Sequence, residues 1–277
     1  MMTKFSQLLL TGGALAALGI ASPALAQDPS HTHHHQGTTD APWSQADAYF
    51  GPEEMAASRA HVLHHHGNDS YGMIMMDRAE IQFSDDGELG VWDGAASYGG
   101  DINRLMLTTE GEYSFDHEEF EDAEIQLLWS RAISTYFDAQ AGLRYDIEPD
   151  GLAHAVLGFQ GLAPYWFEVS GAAYLSEEGD LTADFEAEYE LFLTQRLILQ
   201  PRAELSLAAQ DIPERSLGSG FTNIEAGLRL RYEIRREFAP YIGVEYHSAL
   251  GSTSDLLDLA GEDMDQTVWV IGLRSWF

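Results

Sequence analysis

The chain has 277 residues, a formal net charge of −31 at pH 7, an isoelectric point near 4.4 and no cysteine. This charge repels nucleic-acid phosphates and concentrates cations, so a nucleic-acid-binding protein is excluded. The absence of cysteine excludes both disulfides and thiolate metal sites. With 45% hydrophobic residues, the chain still carries enough apolar surface for a large folded body.

The first 26 residues have the organisation of a secretory signal peptide. Lys4 lies in a short polar opening, residues 8–20 form an apolar run broken only by small residues, and Ala24-Leu25-Ala26 has the small-x-small pattern that signal peptidase recognises. The apolar run is too short to span a membrane as a helix. We therefore expect residues 1–26 to be removed and the mature chain to begin at Gln27.

Residues 27–72 differ in composition from the rest of the chain. They are rich in Gln, Asp, Pro, Ser, Thr, Gly and His and show no sustained period of two or 3.6 residues. Such a segment cannot bury enough apolar area to offset its ordering entropy, so we predict a flexible tail that lies in the periplasm. Within it, residues 53–66 contain good helix formers and are the best candidate for a short helix.

The tail and the residues directly after it hold the strongest candidate metal ligands. Neutral imidazole binds Cu(II), Zn and Ni well, and the thioether of methionine favours Cu(I). Histidines at i, i+3 and i+4, as between positions 61 and 65, share one face of a helix. The histidine runs are interrupted and internal, which argues against a purification tag. The candidates are His31, His33, His34, His35, His61, His64, His65, His66, Met73, Met75 and Met76.

From residue 73 to residue 277 the pattern changes to alternation between apolar and polar residues. In residues 181–193 one face is Leu, Ala, Phe and Tyr, and the other is Thr, Asp and Glu. Faces this charged do not fit the dry core of a secreted β-sandwich, but they fit the wet lumen of a membrane barrel with lipid outside. We predict an all-β, antiparallel up-and-down transmembrane barrel of about twelve strands. The segments are 73–83, 87–95, 103–115, 119–131, 134–147, 151–161, 163–176, 179–193, 195–209, 220–235, 237–250 and 266–277.

The connections between these segments indicate an orientation. With the C terminus in the periplasm, the turns at 162–164, 194–195 and 236–237 fall inside and are short. The connections that hold 211–220 and 251–265 fall outside and are long. Short periplasmic turns with longer external loops are typical of outer-membrane barrels.

Single residues refine this picture. Phe277 closes an amphipathic strand, a feature that outer-membrane assembly machinery recognises. Pro201 falls in mid-strand, where it donates no ladder hydrogen bond, so we expect a bulge there. Aromatic residues near the inner turns predict an interfacial girdle. They are Tyr136, Phe137, Tyr165, Trp166, Phe238 and Tyr241.

Alternation also assigns residues to the lumen. Many carboxylates and arginines share the polar face, and in a confined space they are expected to pair in ladders. Met106, His154 and His247 point inward by the same count and are the candidate metal ligands there. Some outer-membrane barrels are lipid hydrolases, but the barrel region has only three histidines and no Gly-x-Ser-x-Gly elbow. We therefore expect no enzyme.

Over roughly residues 75–277 the chain resembles the outer-membrane copper resistance protein B family. The resemblance implies a barrel that helps periplasmic copper leave, or be held at, the outer membrane beside a periplasmic multicopper oxidase. Family tails commonly carry Met-x-x-Met spacing, whereas this tail is richer in His, so Cu(I) and Cu(II) both stay open. The stretches that carry it are Ser130-Arg131-Ala132-Ile133, Gly142-Leu143-Arg144-Tyr145-Asp146, residues 161–168 (GLAPYWFE), residues 194–201 (TQRLILQP) and residues 227–241 (GLRLRYEIRREFAPY).

Residues and resemblance together predict a function. We expect an outer-membrane copper-binding protein whose His/Met tail captures periplasmic copper and whose acidic barrel holds or passes it. Outer-membrane lipid and copper are the expected partners, with no nucleic acid. The alternative is a general diffusion pore or a structural barrel with incidental metal binding.

Overall fold

The computed structural model describes residues 45–66, 69–84, 87–261 and 264–277. They fall into two compact units, one before and one after the boundary between Ser70 and Tyr71. The predicted signal peptide and the histidines from His31 to His35 lie outside the described residues.

The first unit is helical. Helix α1 (Asp47–Phe50) is followed by α2 (Pro52–His66), with Gly51 between them at φ 89°. Pro52 suits the first turn of a helix, and the acidic residues that follow it complement the helix dipole. Arg59 joins the two helices by donating to both carboxylate oxygens of Asp47, at 2.5 and 3.0 Å. The short helix predicted over 53–66 is confirmed, so this part of the tail is ordered as helix.

No helix in the described residues is long and apolar enough to cross a membrane.

The second unit is a closed antiparallel sheet. Each strand pairs with the next in the chain, except that β8 and β9 both pair with β10, and the last pairs with the first, which closes the barrel. β8 and β9 are two parts of one barrel strand, so the predicted barrel of about twelve strands is confirmed. The strands are β1 (Tyr71–Ser84), β2 (Gly87–Gly99), β3 (Asn103–Ser114), β4 (Glu119–Ala132), β5 (Phe137–Glu148), β6 (Leu152–Ala163), β7 (Phe167–Ser176), β8 (Leu181–Glu188), β9 (Leu191–Phe192), β10 (Leu197–Ala208), β11 (Gly220–Tyr232), β12 (Phe238–Ala249) and β13 (Asp265–Trp276).

Pro201 explains the break between β8 and β9. Its missing N–H removes one rung of the ladder, while its carbonyl still accepts from the Tyr189 N–H at 3.1 Å. The pairing of β10 keeps one register on both sides of the break. The bulge predicted at Pro201 is therefore wrong: the ladder is interrupted, but no residue is inserted.

A true irregularity lies in β1. The register of β1 with both neighbouring strands shifts beside Asp77, which is the inserted residue. An inserted residue reverses which side chains face the lumen. After it, Arg78 and Glu80 are buried in the lumen, and before it Met75 lies within 3.9 Å of the lumenal Arg274. The bulge therefore changes the inward face from odd to even positions.

The outer face of the barrel is apolar. Large hydrophobic side chains are exposed on almost every strand, as on lipid-facing surfaces. Exposed aromatic residues collect at the end that carries the short turns, among them Tyr136, Tyr165 and Trp166. One predicted girdle member is wrong: Tyr241 is 5% exposed and points into the lumen. Tyr241 lies four residues before Glu245 on β12, so both side chains face the same side of the sheet, which is the lumen.

The two ends of the barrel differ, as predicted. We call the end with Tyr71, Phe277 and the short connections the turn end, and the opposite end the loop end. The loop end carries the two longest connections, residues 209–219 and 250–264. The first contains a 3-10 turn (Pro213–Arg215) and the second contains α3 (Gly251–Ala260). By the usual asymmetry of outer-membrane barrels, the turn end faces the periplasm.

Gly272 gives a test of how the lumen is packed. A Cβ atom at this position would lie 2.6 Å from the Tyr241 ring and 2.7 Å from Glu80 Cβ. We expect Gly272→Ala to lower the free energy of unfolding by about 1–3 kcal/mol through overpacking. Gly72→Ala is the matched control, since its nearest contact is an ordinary 3.6 Å. Urea unfolding followed by tryptophan fluorescence measures both, and equal midpoints would contradict the packing.

Candidate functional site

The lumen contains a continuous network of arginines and carboxylates. Arg229 on β11 donates to Glu80 on β1 at 2.9 and 3.2 Å, and to Glu245 on β12 at 2.8 and 3.3 Å. Tyr241 donates its hydroxyl to Glu80 at 2.8 Å. All three charged groups are at most 4% exposed. An unpaired charge at this depth is costly, so each group depends on the others for its ionised state.

Arg202 on β10 extends this network around the wall. It donates to Glu186 at 2.7 Å and to Glu245 at 3.2 Å, and it also donates to Glu204. Glu225 lies 3.6 Å from the same guanidinium. One arginine therefore faces four carboxylates on four strands.

The strand register places carboxylates directly opposite one another. Like charges in this position destabilise a sheet unless cations lie between them. The opposed pairs are Asp93 with Glu110, Glu110 with Glu124, Glu112 with Asp122, Glu124 with Asp146, Glu168 with Glu188, Glu186 with Glu204, and Glu204 with Glu225. A lumen lined in this way attracts cations.

A cavity of about 450 Å³ opens at the turn end of the lumen. It gathers three methionines from two strands, Met73 and Met75 on β1 and Met106 on β3. Three carboxylates, Asp138, Glu168 and Glu186, line the same space, together with Arg104, which pairs with Asp138. We call this cavity the methionine pocket.

The sulfur atoms in the methionine pocket face polar groups. Met106 Sδ accepts from Gln140 Nε2 at 3.6 Å, and Met75 Sδ lies 3.9 Å from Arg274. Thioether sulfur is a soft ligand that selects Cu(I) among the common biological metals. Met76 does not join the set, because it alternates with Met75 and packs on the outer side over Gly94.

The two lumenal histidines lie apart from the methionine pocket and from each other. His154 on β6 is 5% exposed; its Nε2 donates to Asp146 at 3.0 Å, and its Nδ1 has no hydrogen-bond partner among the described residues. His247 on β12 is 7% exposed, and its Nδ1 lies 3.6 Å from Glu225. Each thus keeps a ring nitrogen available as an acceptor or ligand.

The histidines of α2 come together as their spacing predicts. The ring centroids of His61 and His65 are 4.4 Å apart, and those of His64 and His65 are 4.8 Å apart. All three side chains are exposed. His66 ends the helix. Within the described residues, no three His, Asp or Glu side chains are already arranged to hold a metal ion.

The sequence matches known proteins over the barrel. Residues 70–277 match the family described as copper resistance protein B precursor (CopB). Copper resistance protein B of Escherichia coli is 44% identical over 206 residues, which are 74% of this chain and 69% of that protein. The copper resistance protein B homolog of Pseudomonas syringae pv. tomato (strain ATCC BAA-871 / DC3000) is 41% identical over 218 residues, 78% of this chain and 73% of that protein.

The chain belongs to the copper resistance protein B family. It is an outer-membrane protein, and its family supports a role in copper resistance. Among solved structures, the KdgM porin is 14% identical, with 74% of this chain and 99% of that chain covered and a TM-score of 0.46. The NanC porin is 9% identical, with 74% and 99% covered and a TM-score of 0.48.

Some lumenal residues of this copper resistance protein B family member were missed by counting along the strands. Glu80, Asp146 and Glu245 are the most connected carboxylates, yet the sequence alone did not single them out. A signal was present, because each lies two positions from another polar residue of the same strand face: Arg78, Arg144 and His247 respectively. Extending the alternation of inward and outward side chains by two residues along each strand places all three carboxylates in the lumen.

The Glu245 network generates a stability prediction. Glu245→Ala leaves Arg229 and Arg202 each short of one buried partner, so we expect it to lower the free energy of unfolding by about 3–5 kcal/mol. Asp138→Ala breaks the partly exposed pair with Arg104 and should cost about 0–1 kcal/mol. The temperature at which the folded band is lost on a heat-modifiable gel compares the two. Equal losses would show that the buried network does not stabilise the barrel.

Proposed function

We propose that this protein captures periplasmic copper with its His/Met tail and transfers it to the methionine pocket and the acidic lumen of the barrel. The observation that carries the proposal is the convergence of Met73, Met75 and Met106 beside carboxylates at the turn end. A chain of the copper resistance protein B family that has soft ligands at its periplasmic mouth is suited to accept copper there.

Capture is assigned to the tail. The exposed histidines of α2 suit this role, because the ring of His65 already lies beside the rings of His61 and His64. His31, His33, His34, His35 and His66 are proposed as further ligands. Imidazole suits copper in general and thioether favours Cu(I), so an ion passed from the tail to the methionine pocket stays Cu(I) throughout and needs no reductant.

The methionine pocket is proposed as the receiving site. Neutral thioethers supply soft donor atoms without charge, and the nearby carboxylates balance the charge of the ion. Beyond the pocket, opposed carboxylates continue along the wall and give a cation further favourable positions. His154 and His247 are proposed as later ligands on that path.

Other partners follow from the same proposal. The apolar outer face fits outer-membrane lipid, and a periplasmic multicopper oxidase is the proposed protein partner at the turn end. The proposed function includes no catalysed reaction. Phospholipid incubated with the protein should therefore release no fatty acid. Release of fatty acid would identify a hydrolase instead.

Deletion of residues 27–70 tests capture, because it leaves β1 intact from Tyr71 onward. We expect fewer copper ions bound per chain, by titration of the purified protein with Cu(I), Cu(II) and Zn, and lower copper tolerance of cells. Unchanged binding and tolerance would exclude capture by the tail. Fast liposome swelling with sugars, indifferent to the deletion, would indicate a general diffusion pore.

The methionine pocket is tested by the triple substitution Met73→Leu, Met75→Leu and Met106→Leu. Leucine keeps the volume and costs little stability, but it removes the sulfur ligands. We expect weaker Cu(I) binding in competition with a chromogenic chelator, with Cu(II) binding less affected. Met76→Leu is the control, because Met76 faces outward and should leave Cu(I) binding unchanged. Equal Cu(I) affinity in the triple variant and in the wild type would remove the pocket from the path.

A further inference from the structure

The connection between β10 and β11, residues 209–219, forms a hairpin of its own at the loop end. Ile212 and Leu217 exchange two backbone hydrogen bonds, at 2.8 and 3.1 Å, around the 3-10 turn. Together with Ala208 their side chains make a small apolar cluster, each at most 4% exposed. We call this connection the outer hairpin.

The outer hairpin is supported from two sides. The Gly218 N–H donates to Thr253 Oγ1 of α3 at 3.0 Å, and Ser252 Oγ donates to the Ser219 carbonyl at 2.8 Å. At its base, Asp211 Oδ1 accepts from the Ser219 N–H at 2.7 Å, and these hydrogen bonds from Ser219 lower the pKa of Asp211. That support is complete above the ordinary carboxyl pKa and is lost as the pH falls through the lowered value.

The tip of the outer hairpin contacts the far wall of the barrel. Arg215 donates to Asp146 Oδ2 on β5 at 2.9 Å. Three strands, β6, β7 and β8, lie between β5 and β10. At about 4.8 Å per strand step, four steps amount to about 19 Å of wall. A contact between these two places is possible only across the mouth of the lumen, so the hairpin folds inward.

The receiving carboxylate is already part of the lumen. Asp146 is 2% exposed and also accepts from Arg144 at 2.6 Å and from His154 at 3.0 Å. Arg215 is the only basic residue in residues 209–219 and 250–264, which otherwise carry only acidic charges. Arg215 is therefore the one basic side chain that these two connections bring to the outer mouth, and it shares Asp146 with Arg144 of the wall.

We propose that the outer hairpin is a constriction that narrows the loop end of the lumen, and that Arg215 is its charge-selective residue. Held by Asp146, the guanidinium narrows the mouth and opposes the passage of cations. A constriction at this place limits the passage of solutes of any kind. It does not depend on copper binding by the methionine pocket.

Planar-bilayer conductance in KCl tests the constriction on the full mature chain. We expect Arg215→Ala to raise the single-channel conductance several-fold and to shift the reversal potential in a KCl gradient toward cation preference. Replacing residues 212–217 by two glycines should raise the conductance at least as much. Arg235→Ala, which removes an exposed arginine near the turn end, is the control and should change neither quantity.

Each result has a defined meaning once heat-modifiable migration shows that the variants are folded. Unchanged conductance and reversal potential in Arg215→Ala overturn the assignment of Arg215. Unchanged conductance after the replacement of residues 212–217 overturns the constriction itself. A rise in conductance in Arg235→Ala as large as that in Arg215→Ala overturns it as well. Because no copper is present, failure here leaves the Cu(I) binding of the methionine pocket unaffected, and the reverse also holds.

Discussion

The pairing of arginine with carboxylate across the lumen is the constraint on which the barrel depends. A closed strand wall leaves one face to lipid and one to the interior, so every charged side chain of the barrel must be satisfied inside. Arg229 meets this demand by joining Glu80 and Glu245, and with them strands β11, β1 and β12. Removal of one partner leaves another buried charge unpaired. The closed wall is therefore stable only while its interior charges are paired.

The same constraint gives the lumen a direction. The carboxylates outnumber the arginines along the wall, so the interior attracts cations throughout. The three methionines of the methionine pocket lie at the turn end, and Arg215 is the one arginine in the two long connections of the loop end. A cation that enters from the periplasm thus meets thioethers first, then carboxylates, and finally a fixed positive charge. Entry and exit are therefore chemically different.

Much of this could be predicted from the sequence. The alternation in residues 181–193 and its repeats along the chain predict strands, because a strand places successive side chains on opposite faces. Twelve segments, the lumenal positions of Met106, His154 and His247, the longer loops at one end and the helix over 53–66 all follow from such local patterns. Local patterns fail where strand pairing decides the outcome. Tyr241 was expected in the aromatic girdle and Pro201 at a bulge, and neither expectation could take the pairing of the strands into account.

By itself, then, the sequence determined the strands, their two faces and the supply of ligands. Only the tertiary structure decided which ligands meet. The bulge at Asp77 turns Met75 inward and Met76 outward because β1 pairs with β2 and β13 at once. Arg229 and Glu80 lie 149 positions apart, and Arg215 meets Asp146 across the mouth. These contacts depend on strand register and on the closure of the barrel, and neither is encoded in any short stretch of the chain.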